Sequence, residues 1–342
     1  MSAHVAVTGA TGFVGWHVVK RLQQLGATPI AIVRATSKSS RLLEIGAAVR
    51  TACLDDVDSL VSAFANCDAV MHLASAVDFD ADWERFYQTN VVGTKNVIAA
   101  ARKADVRRVV HCSTIAAVGA SFQPTILSET AKWNLGHLKV PYVTTKRQAE
   151  ELAQQASDSK CEVVVVNPGS VIGPDDFAAS EFGLMCRRFW RGRIPVHFGG
   201  GNCFVDVRDV AAGICAAWQR GRAGERYILG GANRSMTGFF SELAHASPEP
   251  IPRWRLPSAI GPTIAYLERH LSKKKRSRAY LSAAQARLLP YFFYFDSTKA
   301  KRELGYSPRP LSVTVADAFD FWERTIANSS RERAALPLRG AA

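Results

Sequence analysis

Through its first half the chain alternates short apolar runs with longer stretches of helical spacing. Val5-Ala6-Val7 leads into Thr8-Gly9-Ala10-Thr11-Gly12-Phe13-Val14-Gly15, and Trp16 to Leu25 then carries apolar residues at helical intervals. Pro29 to Val33 is a second run. Leu42, Leu43 and Ile45 predict a helix, as do Leu60, Val61 and Phe64. Ala69 to Leu73 and Arg108 to Cys112 predict strands, Val91 to Arg102 and Tyr142 to Gln155 helices, and the β-branched run Glu162 to Val166 a buried strand. Such alternation predicts a parallel sheet with helices on both faces, a doubly wound α/β fold.

After Pro168 glycine and proline become frequent. Asp206 to Trp218 still predicts a helix and Tyr227 to Leu229 a strand. The division that follows is a dinucleotide-binding domain over 1–170 plus about 204–232. A smaller mixed substrate lobe spans about 171–203 and 233–330, and 331–342 is a flexible tail.

Composition narrows the class without naming a function. With 47% hydrophobic and 21% charged residues the chain is neither disordered nor fibrous. It has no apolar run of about 18 residues, as a membrane span requires. The residues before the first strand carry no basic n-region and no long apolar stretch, so no secretory signal is expected. The seven scattered cysteines include no CxxC pair, which predicts free thiols in a reducing cytoplasm and no metal site. The formal charge of +13 attracts anions. A cluster at 272–278 (SKKKRSR), after the helix-like 257–271, makes weak association with an anionic membrane surface an expectation. No nucleic-acid recognition module is present.

Three groups of residues carry chemistry. Gly9, Gly12 and Gly15 lie between a strand and a helix, where glycines permit a tight turn, close approach to a pyrophosphate and close packing. Tyr142 and Lys146, four apart on a helix, share a face. An ammonium beside a phenol, helped by a positive nicotinamide ring, favours the phenolate and lowers a pKa that is near 10 in water. Ser113-Thr114 ends a strand at the crevice where doubly wound sheets bind ligands, and either hydroxyl can hold a substrate oxygen or cap a turn.

Together these motifs resemble the extended short-chain dehydrogenase/reductase family, also called NAD-dependent epimerase/dehydratases. The likeness takes in nearly the whole chain: TGATGFVG, His72-Leu73-Ala74-Ser75, Asn90 in TNVVGTKN, ST with YVTTK, Asn167 to Pro174, Phe204 to Val210, and the late FDSTKAKRELGYSPRPL. It is nearest the dihydroflavonol-reductase-like, 3β-hydroxysteroid-dehydrogenase-like and hopanoid-associated epimerase-like members. The resemblance implies Tyr142 as acid–base, Lys146 as its modulator and a ribose ligand, Thr114 as the hydroxyl on the substrate oxygen, and Asn90 positioning the lysine through water. It implies cofactor contacts from Gly9, Thr11, Gly12, Phe13, Val14, Gly15, Arg34, Arg41, Leu54, Leu73, Ala74, Ser75, Tyr142, Lys146, Pro168, Gly169 and Val171. It further implies a homodimer through the helix bearing Tyr142 and the helix before it. The chain departs from the family at Ala52-Cys53-Leu54, where an aspartate usually meets the adenine, leaving Asp55 or Asp56 to supply the acid.

The second strand runs into Arg34, then Lys38 and Arg41, with no acid before Glu44. Guanidinium groups suit a 2′-phosphate and a carboxylate would repel it, so the expected cofactor is NADP(H), with NAD(H) as the alternative. No arginine stands just ahead of Phe204-Val205-Asp206, where sugar-nucleotide enzymes of the family commonly place one. The aromatic residues Trp254, Tyr266 and Tyr291 to Phe295 fit an apolar pocket. The expected reaction interconverts a ketone and a secondary alcohol on a lipophilic or aromatic small molecule. A sugar-nucleotide epimerase or dehydratase is the first alternative, and a non-catalytic cofactor-binding regulator the second.

Overall fold

The computed structural model describes residues 2–77, 82–177, 180–261, 263 and 282–335. The 272–278 cluster, most of 257–271, Tyr266 and the end of the expected tail lie outside the described residues.

The larger sheet has seven strands. They are β1 (His4–Thr8), β2 (Thr28–Val33), β3 (Ala48–Thr51), β4 (Ala69–His72), β5 (Arg108–Cys112), β7 (Glu162–Pro168) and β11 (Arg226–Leu229). The order is β11-β7-β5-β4-β1-β2-β3, and every pairing is parallel. A parallel sheet covered on both faces needs strands apolar throughout, and β7 accordingly buries Val163 to Val166 completely. Alternate residues feed two cores. Val5, Val7, Val164 and Val166 pack with helices α1 (Phe13–Gln24) and α8 (Val207–Arg220). Ala6, Ile30, Val163 and Val165 face α3 (Val57–Phe64), α5 (Gly93–Lys103) and α6 (Pro141–Gln155). The chain order reverses between β1 and β4, and the crevice at that point is where such sheets bind ligands.

A second sheet runs β12 (Ala232–Ser235), β10 (Gly201–Asp206), β14 (Phe292–Phe295) and β6 (Ile126–Leu127), with β8 (Ser170–Ile172) added to β10. The expected aromatic pocket wall is therefore a strand. Phe293 and Phe295, with Tyr291 beside them, are buried in a cluster with Ile115, Val118 and Val143. Aromatic residues at every second position bury one face of a pleat. Two further strands, β9 (Val196–Phe198) and β13 (Trp254–Leu256), pair in parallel.

The helix expected from Val91 to Arg102 begins differently. After a short turn, α4 (Trp83–Phe86), residues Tyr87–Val92 form a π-helix that continues into α5. The wider turn carries Asn90 inward, where it is 2% exposed.

Candidate active site

The glycine turn joins β1 to α1 beneath the loop that follows β4. Gly9 has φ +71°, and a Cβ there would lie 2.7 Å from the Ala74 nitrogen and 2.8 Å from the Leu73 carbonyl carbon. At Gly15 a Cβ would come 2.1 Å from the Gly9 oxygen, so helix and turn touch backbone to backbone. Gly12 differs, because its Cβ would meet only the Gly9 oxygen at 3.2 Å. Gly12 caps α1 with no side chain on the helix N–H groups and no acid in the first turn. Free amide donors at a positive helix end suit a pyrophosphate, so the residues present fit a dinucleotide. Thr11, Phe13 and Val14 complete this turn, and Ser75 extends its far wall.

Just past the end of β5, the Thr114 hydroxyl lies beside the Tyr142 phenol and favours its ionised form. Tyr142 sits in the first turn of α6, started by Pro141 at a helix position that needs no amide donor. One turn on, Lys146 is 3% exposed, and its Nζ donates to the Cys112 carbonyl at 2.7 Å. Ser113, the other candidate hydroxyl, is buried, and its Oγ has no partner among the described residues. The electrostatics differ from the expected depressed phenol. Burial pushes Tyr142 up to about 12, with the Thr114 hydroxyl pulling the other way. Burial also lowers the Lys146 ammonium, against the opposing pull of Cys112 and Glu150. The lysine charge is held by a backbone carbonyl, so desolvation dominates at the phenol. Beside them the Cys112 thiol is raised to about 11 by burial and stays protonated.

Asn90 does not reach Lys146 directly. Its Nδ2 donates to the Thr145 hydroxyl at 3.1 Å, and its Oδ1 accepts from Ser75 Oγ at 3.0 Å and the Ala76 amide at 2.8 Å. It thereby ties the loop after β4 to the residue beside the lysine.

Beneath lies a buried polar layer that the sequence reading did not single out. Thr94 donates to the Asn90 carbonyl at 2.6 Å and so accepts from His72 Nε2 at 3.1 Å. His72 Nδ1 is then the acceptor for Thr8, at 2.8 Å. Burial lowers His72 to about 3. His111 lies 5.4 Å from the His72 ring, and neither of its nitrogens has a partner among the described residues. On α6, Glu150 is fully buried, pairs with Arg226 at 2.9 Å and accepts from Asn167 at 2.6 Å. Glu150 follows Lys146 by four residues, a helical spacing that could have marked it.

Arg34 is exposed one residue past β2. Arg41 is stacked instead, its guanidinium carbon 3.9 Å from the Phe177 ring centre. Leu54 packs on Gly93, and its carbonyl accepts from Asn96 at 2.8 Å. Asp56 caps α3 through the amides of Asp58 and Ser59, so it is committed locally. Pro168 ends β7. Gly169 passes so close to β10 that a Cβ would lie 2.3 Å from the Cys203 oxygen, and Val171 pairs with Val205. Grooves of about 510 and 310 Å³ run along β12 and Pro308, but Thr114, Tyr142 and Lys146 line neither.

The doubly wound sheet, the backbone-lined turn at its crossover and the tyrosine–lysine pair on α6 define a nicotinamide-dependent oxidoreductase fold and site. The chain belongs to the NAD-dependent epimerase/dehydratase family, which it matches over residues 5–230, within the extended short-chain dehydrogenases/reductases. It is 32% identical to a Synechocystis sp. protein with a provisional dihydroflavonol 4-reductase name, over 93% of this chain and 94% of that one. It is 30% identical to a Stigmatella aurantiaca ketoreductase named for a farnesyl-bearing dihydroquinoline oxide, over 91% and 94% respectively. A solved structure called gox2253 superposes with a TM-score of 0.83 at 29% identity, covering 95% of this chain and 99% of that one. No helix among the described residues is long and apolar enough to cross a membrane.

Proposed function

We propose that the protein is an NADP(H)-dependent ketoreductase, interconverting a ketone and a secondary alcohol on a lipophilic or aromatic small molecule. The observation that carries this reading is the Thr114 hydroxyl beside the Tyr142 phenol, with the Lys146 ammonium one helical turn away. A bound nicotinamide supplies or accepts the hydride. Tyr142 moves the proton: burial keeps its phenol protonated at neutral pH, the state needed to protonate a carbonyl oxygen during reduction. Thr114 orients that oxygen. Lys146, fixed by Cys112, carries the positive charge that steadies a phenolate when the proton leaves. The named reductase relatives, matched over more than nine tenths of the chain, support reduction ahead of epimerisation.

Arg34 supports the phosphorylated cofactor, since it is exposed at the end of β2 and no carboxylate stands beside it in sequence. Seven cysteines without a disulfide support a cytoplasmic location. A homodimer through α5 and α6 belongs to the same proposal, and light scattering in solution checks it.

The test measures NADPH and NADH binding by fluorescence in wild type and Arg34→Ala. A preference for NADPH that collapses in the variant is expected, followed by turnover of lipophilic ketones. Equal or stronger NADH binding that ignores the variant overturns the cofactor assignment. Turnover of sugar nucleotides in place of ketones overturns the substrate class.

A further inference from the structure

On the substrate lobe, the segment around β13 gathers apolar and cationic side chains at the surface. Trp254 is 67% exposed, Ile251 40% and Ile260 39%, and Arg253 and Arg255 between them are exposed as well. The turn after α7 (Glu181–Phe189) adds exposed Arg191 and Arg193. The two segments are neighbours: a Cβ on Gly192 would lie 3.2 Å from a Glu249 carboxylate oxygen, and β9, just after Arg193, pairs with β13. The Arg255 guanidinium reaches across β9 toward Gly199. Among the described residues none of these four arginines forms an ion pair.

We infer that this exposed edge of the lobe, with Trp254 on one side of β13 and Arg255 on the other, docks on an anionic lipid bilayer surface. Leaving a tryptophan in water forgoes a large burial term, whereas a bilayer interface accepts its apolar body with the indole N–H still wet. Arginines beside it pair with lipid phosphates through planar, multidentate contacts. Charge argues against the other occupants. The chain's own 264–281 carries Arg269, Lys273, Lys274, Lys275, Arg276 and Arg278 against Glu268 alone, and a second copy meeting this patch with its own would set the same four arginines against each other. A polyanion without an apolar phase leaves Trp254, Ile251 and Ile260 exposed. Docking here sets the substrate lobe against the phase that holds lipophilic ketones. That consequence rests on the proposed function, while the docking itself does not.

The experiment is co-sedimentation of the full chain with vesicles of phosphatidylcholine alone or mixed with phosphatidylglycerol, in wild type, Arg253→Gln/Arg255→Gln and Trp254→Ser. NADPH binding to each variant reports that the fold is intact. Binding to the mixed vesicles only is expected. Each arginine near a charged surface changes partitioning by about fivefold, so the double variant loses roughly 25-fold. Trp254→Ser lowers partitioning to the same mixed vesicles. A loss below about fivefold in the double variant, equal binding to neutral vesicles, or binding to heparin without vesicle binding overturns the inference. If ketone turnover is absent while vesicle binding behaves as expected, the functional reading has failed and the docking surface stands.

Discussion

The Thr114 hydroxyl and the Tyr142 phenol lie side by side although one stands two residues past a strand and the other opens a helix 28 residues later. The 3-10 turn Ile115–Ala117 lets this happen, because Thr114 caps it, accepting the Ala116 amide at 3.3 Å. Removing the phenol removes the proton donor, so Tyr142→Phe is expected to slow ketone reduction by about 10²–10⁴ with cofactor affinity little changed. Thr114→Val loses the hydrogen bond to the reacting oxygen and slows it about 10²–10³, whereas Thr114→Ser keeps the hydroxyl and most of the rate. Steady-state kinetics alongside cofactor titration check both. Full activity in Tyr142→Phe would place the chemistry elsewhere.

The three turn glycines do different work, and stability separates them from binding. Gly15→Ala drives a Cβ into the Gly9 carbonyl and the Ala10 backbone, neither of which can yield cheaply. A loss of about 1–3 kcal/mol or more is expected. Gly12→Ala meets no such wall, so its melting temperature stays near wild type while dinucleotide affinity falls, as expected of a glycine that serves the close approach of a pyrophosphate. Thermal melts with and without NADPH distinguish the two. A destabilised Gly12→Ala that binds normally would show that this glycine serves packing.

How much of this was legible in the sequence depended on whether a residue's partner was near in the chain. The Val5–Val7, Arg108–Cys112 and Glu162–Val166 runs announced strands because burial on both faces demands apolar side chains throughout. Tyr142 and Lys146 stood out because four residues is one helical turn. The run Tyr291–Phe295 reads as a pocket lining and carries a strand paired with β10, with Tyr291, Phe293 and Phe295 buried and Phe295 also at the edge of the larger groove. The π-turn at Asn90 left no sequence signal, for its wider hydrogen bonding has no residue preference to read. The His72–His111 and Glu150–Asn167–Arg226 contacts were invisible because strand pairing assembles them.

The Glu150–Arg226 pair predicts a coupling. Glu150 is fully buried and its guanidinium partner largely so, so Arg226→Met strands a carboxylate in a dry interior. About 3–5 kcal/mol of stability should be lost. Adding Glu150→Leu removes the stranded charge and should recover much of that loss, with Asn167 still donating to the Thr114 carbonyl at 3.0 Å. Denaturant melts of the four proteins in a double-mutant cycle measure it. Simple additivity would mean that the pair contributes nothing jointly.

The buried histidines predict sensitivity to acid. Burial lowers His72 to about 3 in the folded protein from its ordinary 6.5, and His111 is likewise lowered by burial, with Lys146 and His72 adding repulsion. Below pH 6.5 the unfolded chain therefore takes up protons that the native state refuses. Stability is fully present above that pH and falls as the pH drops, by about 1.4 kcal/mol per unit for each histidine, until the native group itself titrates. For His72 that window runs from about 6.5 to 3. The two rings are not equivalent, however. His72 holds Thr8 and Thr94, so His72→Leu leaves their hydroxyls short of a partner and costs stability at neutral pH. His111 holds no described side chain, so His111→Leu exchanges an unpaired polar ring for an apolar group, which is near neutral or stabilising at pH 7.5. It should also shallow the acid slope by one proton's worth. Denaturant melts at pH 7.5, 6 and 5 decide the matter: a His111→Leu variant as acid-sensitive as wild type would mean that His111 takes up its proton as readily in the folded protein as in the unfolded chain.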